Sequence, residues 1–215
     1  MSLSRLAALL VAATLLVACG SKEHIRYKMT VEVETPEGLK SGSAVRESTY
    51  RTAPNVPMIG EDRGGVSVRG EAVAVDLPND QTLFALLSSA KGDVDYAARI
   101  PDRFLDKGRG AGGAVTIWPS SAHRDVPLLV RFRDREDPKT LEVVNPADLQ
   151  AVFGPGIRLK RITVQACRMC SVTSDIENRL PSFGTASGFA EWYRSLAWED
   201  PRRVGRESFT RGMRE

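Results

Sequence analysis

From Arg26 to Glu34 the chain alternates without a break. Tyr27, Met29, Val31 and Val33 lie on one side, and Lys28, Thr30, Glu32 and Glu34 on the other. A period of two places all the apolar side chains on one face of a strand and would scatter them around a helix, so this segment has to be a strand with one buried face. Thr35-Pro36-Glu37-Gly38 follows with turn chemistry: Pro36 presets φ and Gly38 tolerates a positive φ. The return run, Ser41 to Tyr50, makes the opening unit a hairpin.

The same grammar recurs downstream. Val66 to Leu77 alternates and reads as one strand, Pro78-Asn79-Asp80-Gln81 as a turn, and Thr82 to Leu87 as its apolar partner, giving a second hairpin. Ala114 to Trp118, Pro127 to Arg133 and Ile157 to Ala166 complete seven expected strands. In the last of these, Ile157, Leu159 and Arg161 oppose Arg158 and Lys160. Helices are few and short. Asp93 to Leu105 is interrupted near Pro101. Ala147 to Phe153 is capped by Asn145, opened by Pro146 and stopped by Gly154-Pro155-Gly156. Asp175 to Leu180 is capped by Ser174. Ala53 to Gly65, with two prolines and three glycines, reads as a loop. The expected class is therefore α+β, β-dominated, with antiparallel hairpins and a few short helices in a single domain over residues 26–183.

The first 18 residues stand apart. Arg5 is followed by the apolar run Leu6 to Val17, the length of a secretory h-region and too short to cross a bilayer, which takes about 20 residues. The run ends in Leu16-Val17-Ala18-Cys19-Gly20. This resembles the lipobox of bacterial lipoproteins, in which a Leu, a small or β-branched residue and Ala or Gly precede a cysteine. The resemblance implies a signal peptide over residues 1–18, with Cys19 as the mature N-terminus carrying diacyl and palmitate-type chains. It also implies a membrane-held protein on the periplasmic side, and the polar residues that follow read as a short tether over residues 19–25. Each buried CH₂ adds about 0.8 kcal/mol, so two or three long chains make a lasting anchor. Residue 20 is Gly and not Asp, which by the same resemblance favours the outer over the inner membrane.

Lys and Arg number 30 against 27 Asp and Glu, a formal charge of +3. That balance excludes a dedicated nucleic-acid binder, which needs a strong basic patch. Of the three cysteines, Cys19 is assigned to lipid, leaving Cys167 and Cys170. In an oxidising compartment such a pair can persist as a disulfide. It can also act as a redox Cys-x-x-Cys with Arg168 favouring the thiolate, or stay as two thiols. The Cys-Arg-Met-Cys segment continues the strand Ile162 to Ala166 and has no βαβ surroundings, which argues against the redox reading.

Three other constellations carry less chemistry. Ser120, His123 and Asp125 supply the residue types of a catalytic triad but are neighbours in one loop, with no Gly-x-Ser-x-Gly elbow. Gly108 to Gly113 lacks the Lys-Ser/Thr ending of a phosphate loop. Asp134, Glu136 and Asp137 alternate with Arg133 and Arg135 and read as a charged turn, not a calcium loop. With only His24 and His123 as imidazole donors, no zinc site is expected.

Over residues 184–215 the texture changes. Phe189, Trp192, Tyr193 and Leu196 have helical spacing and suggest a short amphipathic helix. It would dock on the domain, or else lie on a membrane or grip a partner. The stretch Glu199 to Glu215, with five Arg and a single Phe, is expected to stay disordered. Between Tyr27 and Leu180 the Met-Thr-Val-Glu-Val-Glu-Thr-Pro-Glu-Gly run and the Asn145-Pro146-Ala147-Asp148-Leu149 segment are similar to a group of small proteobacterial proteins with no assigned activity. That likeness implies one compact domain and nothing about chemistry.

The functional expectation is a lipid-anchored cell-envelope lipoprotein. Its domain, non-enzymatic and without cofactor, faces the periplasm for binding or structural work. Its partners are the membrane through acylated Cys19 and an envelope protein, with no nucleic acid. The rival is an envelope enzyme, a thiol oxidoreductase using Cys167 and Cys170 or a hydrolase using the His123 loop.

Overall fold

β1 (Lys22–Thr35) and β2 (Gly38–Arg51) form a long antiparallel hairpin in the computed structural model, which describes residues 21–52, 64–106, 113–119, 125–181 and 186–212. Thr35 closes the turn between them, its hydroxyl donating to the Gly38 carbonyl and accepting from the Glu37 N–H. The remaining strands are β3 (Gly65–Glu71), β4 (Val73–Leu77), β5 (Gln81–Ser89), β6 (Val115–Trp118), β7 (Pro127–Phe132), β8 (Leu141–Val144), β9 (Arg158–Ala166) and β10 (Thr210–Arg211). They make two antiparallel sheets. The first has six strands in the order β10-β3-β2-β1-β9-β6, and the second has four in the order β4-β5-β7-β8. The protein is thus β-dominated, with few short helices among the described residues: α1 (Ile100–Phe104), α2 (Gln150–Phe153), α3 (Ile176–Arg179) and α4 (Ala186–Ser195).

The alternation of β1 sets the first core. Tyr27, Met29, Val31 and Val33 are fully buried and pack with Val73, Val75, Leu77, Leu83, Ala85 and Leu129 of the second sheet. Gly42 of β2 lies so close to β4 that a Cβ there would sit 1.9 Å from the Ala74 carbonyl oxygen and 2.8 Å from its carbon. Gly42→Ala is therefore expected to force the sheets apart. Overpacking of this kind costs about 1–3 kcal/mol, a fall in Tm of roughly 3–10 °C for a chain of this size, which thermal unfolding followed by circular dichroism would measure.

β5 differs from the others because neither of its faces meets water. Leu83 and Ala85 point into the first core, while Phe84 and Leu86 point the other way into a second one. That second core is completed by Val130, Phe132, Ile176, Leu180, Phe189, Trp192, Val204 and Phe209. The molecule therefore has three layers: the six-stranded sheet, the four-stranded sheet, and a cover built from α3, α4 and the chain after them.

Several sequence expectations need correction. Val66 to Leu77 is two strands, because at Ala72 the chain leaves the first sheet, where β3 pairs β2, for the second, where β4 pairs β5. The apolar phase changes there: Val68 faces inward before the break, Val73 and Val75 after it. Arg161 is not on the inner face. A bulge opposite Glu32 and Val33 shifts the register, so Ile162 and Val164 point inward and Arg161 pairs with Glu32 at 2.8 Å. Pro101 opens α1 and does not interrupt it. Asn145 accepts from the Ala147 N–H in a local turn, and the helix begins only at Gln150. Strand β8 follows the charged turn and was not expected.

The stretch after Glu199, expected to be disordered, is folded through residue 212. Val204, Ser208 and Phe209 are buried, Thr210 and Arg211 pair with Glu71 and Gly70, and Ala72 donates its N–H to the Phe209 carbonyl at 2.7 Å. The physical reason is the outer face of β5 and β7, which must be covered and which Phe209 covers.

Candidate functional site

A polar constellation outside the core lies where β1 begins. Lys22 is opposite Arg51 in the hairpin register, His24 opposite Thr49, and Arg26 opposite Glu47. Because their core-facing neighbours Ile25 and Tyr27 are buried, His24 and Arg26 project from the outward face. The His24 Nδ1 stands 3.0 Å from the Thr49 hydroxyl and 3.7 Å from the Glu47 carboxylate. Arg26 donates through Nε to Glu47 at 2.6 Å. Its other arm reaches the Cys170 carbonyl at 3.2 Å.

That second contact ties the start of β1 to the end of β9. The Cys167 N–H donates to the Arg26 carbonyl at 2.9 Å, the chain turns through Arg168 and Met169, and Cys170 closes the turn through a disulfide to Cys167 with Cα atoms 5.6 Å apart. Beyond it the chain passes to β2, where the Thr173 hydroxyl accepts from the Val45 N–H at 2.6 Å. Glu23, His24, Ile25, Arg26, Glu47, Ala166 and Arg168 line an open groove of about 450 Å³ between strand and turn. Arg168 is exposed, and Met169 is 95 % exposed on a backbone held by the disulfide. The charges lining the groove are mixed, with Glu23 and Glu47 beside Arg26 and Arg168.

A second polar group is buried deep between the layers, and nothing in the sequence patterning marked it. Arg46 of β2 is fully buried. Its Nε donates to the Glu71 carbonyl at 2.9 Å, and its terminal nitrogens reach the Ala85 carbonyl at 3.2 Å and the Met29 sulfur at 3.5 Å. Room for its stem comes from Gly70, where a Cβ would lie 3.0 Å from the Arg46 Cγ. Tyr27, also fully buried, donates to the Ala97 carbonyl at 2.7 Å, and burial raises its pKa against the opposing pull of Arg46. The Glu71 carboxylate accepts from the N–H groups of Asp175 and Ile176 at 2.6 and 2.7 Å. It therefore does at the start of α3 what Ser174 was expected to do. These groups are enclosed by protein and join strands of both sheets to the cover, which makes them structural.

Burial pushes the Glu71 carboxyl up from its ordinary range, and the two N–H donors only partly offset this. A raised carboxyl pKa means that its contribution to stability is complete below the unfolded value near 4.5 and is lost as pH rises through the folded one. Glu71→Gln keeps an acceptor oxygen without the charge. The stability of the native chain relative to this variant is expected to fall as pH rises above the unfolded value near 4.5, as urea titrations at each pH would show.

The other sequence candidates come together less. Cys19, the residues from Ser120 to Arg124 and those from Gly108 to Gly112 lie outside the described residues. Asp125 is paired with Arg103 at 3.3 Å and its carbonyl accepts from Tyr96. Asp134 and Asp137 hold their own turn by accepting from the N–H groups of Glu136 and Lys139. Among the described residues no group of His, Cys, Asp and Glu could hold a metal ion, and no helix is long and apolar enough to cross a membrane. On α4, Phe189 and Trp192 are buried in the second core, so the apolar face of that helix is spent on docking. No family model, curated protein or solved structure matches the chain.

Proposed function

We propose that the protein is a lipid-anchored cell-envelope lipoprotein, with its three-layered β domain presented to the periplasm for binding or structural assembly. The observation that carries this reading is Leu16-Val17-Ala18-Cys19 behind an apolar run of h-region length, with strand β1 starting only three residues after the cysteine. Acyl chains on Cys19 hold the domain, and Gly20 directs it to the outer membrane. The disulfide between Cys167 and Cys170 is consistent with an oxidising compartment. Among the described residues β6 and β8 are edge strands, the latter with a partly exposed Val143, and such edges offer places for a protein partner.

The test is fractionation of the native host expressing wild type and Cys19→Ser, with mass spectrometry of the N-terminal peptide. Wild type is expected in the membrane fraction with an acylated Cys19. The variant is expected to carry no acyl chain, with its leader uncleaved. An unmodified leader on wild type overturns the reading.

A second reading, a thiol oxidoreductase, is favoured by the closed Cys167–Cys170 bond on an exposed turn. Against it, the turn continues β9 and does not open a helix whose N-terminus could stabilise a thiolate. Full function in a chain carrying serine at both positions would dispose of it.

A further inference from the structure

β8 closes the four-stranded sheet, with β7 on one side and no strand on the other among the described residues. The other outer strands are each unsuited to pairing. β6 carries a register shift opposite β9, β10 is two residues long, and Gly42 of β2 packs on the Ala74 carbonyl of β4. β8 has none of these protections. It pairs with β7 in unbroken register and contains no proline and no lysine. Its one charged side chain is drawn back over β7, where Glu142 meets Arg131 at 2.8 Å and Arg133 at 2.9 Å.

The backbone groups along this edge can be assigned one at a time. The Arg133 N–H donates to the Thr140 carbonyl at 3.3 Å, which fixes the alternation. Glu142 and Val144 turn their N–H and C=O groups toward β7, while Val143 turns both of its own outward. The trans peptide planes carry the pattern on, so the Leu141 carbonyl and the Asn145 N–H also point outward. Each of these two end residues has only one group to offer. The Leu141 N–H is already given to the Pro138 carbonyl, and the Asn145 carbonyl already accepts from Asp148 at 3.0 Å. From 141 to 145 the outward groups therefore read acceptor, donor with acceptor, donor.

That order is its own complement. An antiparallel copy related by a twofold axis sets Val143 against Val143, and the two exchange both bonds. Leu141 then faces Asn145 of the second copy, so that at each end the free carbonyl meets the free N–H. Four hydrogen bonds form and no outward group is left over. An ordinary strand would present both groups at each end position, leaving a carbonyl unmet at one end and an N–H at the other. The same register puts Glu142 opposite Val144 of the second copy, so no like charges stand directly opposed. The partly exposed Val143 is the apolar side chain that the contact covers.

We propose that β8 is a homodimer edge, at which two copies of this chain pair antiparallel about Val143 and join their four-stranded sheets into one. The contact uses the same patch on both copies, so it closes at two and does not grow into a filament. The proposal goes beyond the lipoprotein reading and does not rest on it. A four-residue edge is small beside the about 1,200–2,000 Å² of a stable interface, so the pair is expected to form only at high protein concentration.

The experiment uses the full mature chain in an excess of detergent, with amide exchange followed residue by residue by NMR over a concentration series. The Val143 and Asn145 amides are expected to exchange several-fold more slowly as concentration rises, while those of Glu142 and Val144, bonded to β7, keep their rates. Val143→Cys gives a second readout in a chain whose Cys167 and Cys170 are bonded to each other. Mild oxidation is expected to link two copies at position 143, as peptide mass spectrometry would map, and to leave the exposed Leu39→Cys control monomeric. Val143→Lys is expected to raise the concentration needed for pairing by about tenfold or more, because two lysines then meet across the axis. Thermal unfolding checks that this variant is folded. Exchange at Val143 and Asn145 that does not depend on concentration, or linking no faster at 143 than at 39, overturns the proposal. Protection of those amides only on addition of a host envelope extract also overturns it, by giving the edge to another protein. None of these readouts depends on acylation of Cys19, so failure of the anchor reading leaves the test standing.

Discussion

Arg46→Ala is expected to destabilise the fold by about 3–5 kcal/mol, from the cavity left by a large buried side chain and two buried carbonyls left without their donor. For a chain of this size that corresponds to a fall in Tm of roughly 6–20 °C. The side chain is fully buried, and three hydrogen bonds end on it. Truncation leaves the carbonyls of Glu71 and Ala85 without that donor. It also opens a space between β1, β2 and β5 and removes the cation that partly offsets the burial of Glu71. Arg46→Met separates these effects. It fills the volume without a charge to desolvate, and replacement of buried ions by well-packed apolar groups is often near neutral. The Met variant is therefore expected to lose less than half of what the Ala variant loses. Urea unfolding of both at neutral pH checks it, and equal losses would place the energy in the hydrogen bonds and not in packing.

What the sequence discloses, and what it hides, follows from the same physics. β1 was legible because one face is solvated and the other is core, so Tyr27, Met29, Val31 and Val33 had to alternate with charged residues. β2 gave a weaker signal because its inner face is partly polar: Ala44, Arg46 and Ser48 are the buried positions. Nothing in that pattern distinguishes a buried Arg46 from the exposed arginines around it, since burial is decided by β5 and by Gly70 some 24 residues away. The split of β3 from β4 did leave a trace, the change of apolar phase between Val68 and Val73, which a reading by local alternation passes over. The groove at the start of β1 was not legible, because the placement of Arg168 beside Glu23 and Arg26 depends on the pairing of β9 with β1.

The cover over the second sheet shows the same limit and gives the other large expected effect. Leu83-Phe84-Ala85-Leu86-Leu87 has no alternation, which is the mark of a strand buried on both faces. The segment that buries the second face leaves no trace in the sequence, because a lone Phe among five arginines carries no periodic signal. Phe209 is that residue. It is fully buried, with its ring centroid 5.8 Å from Phe132, 6.3 Å from Phe84 and 6.4 Å from Phe189. Phe209→Ala is expected to destabilise by about 3–5 kcal/mol, the usual result of deleting a buried ring. The loss should be local first. β10 is only two residues long and α4 reaches the body through this cluster, so residues 204–212 are expected to lose hydrogen-exchange protection before β1 and β2 do. The Ala72 amide, which donates to the Phe209 carbonyl, is the sensitive reporter of that opening. Trp198 supplies the contrast: it is larger but 80 % exposed under the Arg203 guanidinium, and its replacement by Ala is expected to change stability by less than about 1 kcal/mol. If the two variants lose equally, the cover is not held by the Phe209 cluster, and the three-layer account of the fold fails at its outer layer.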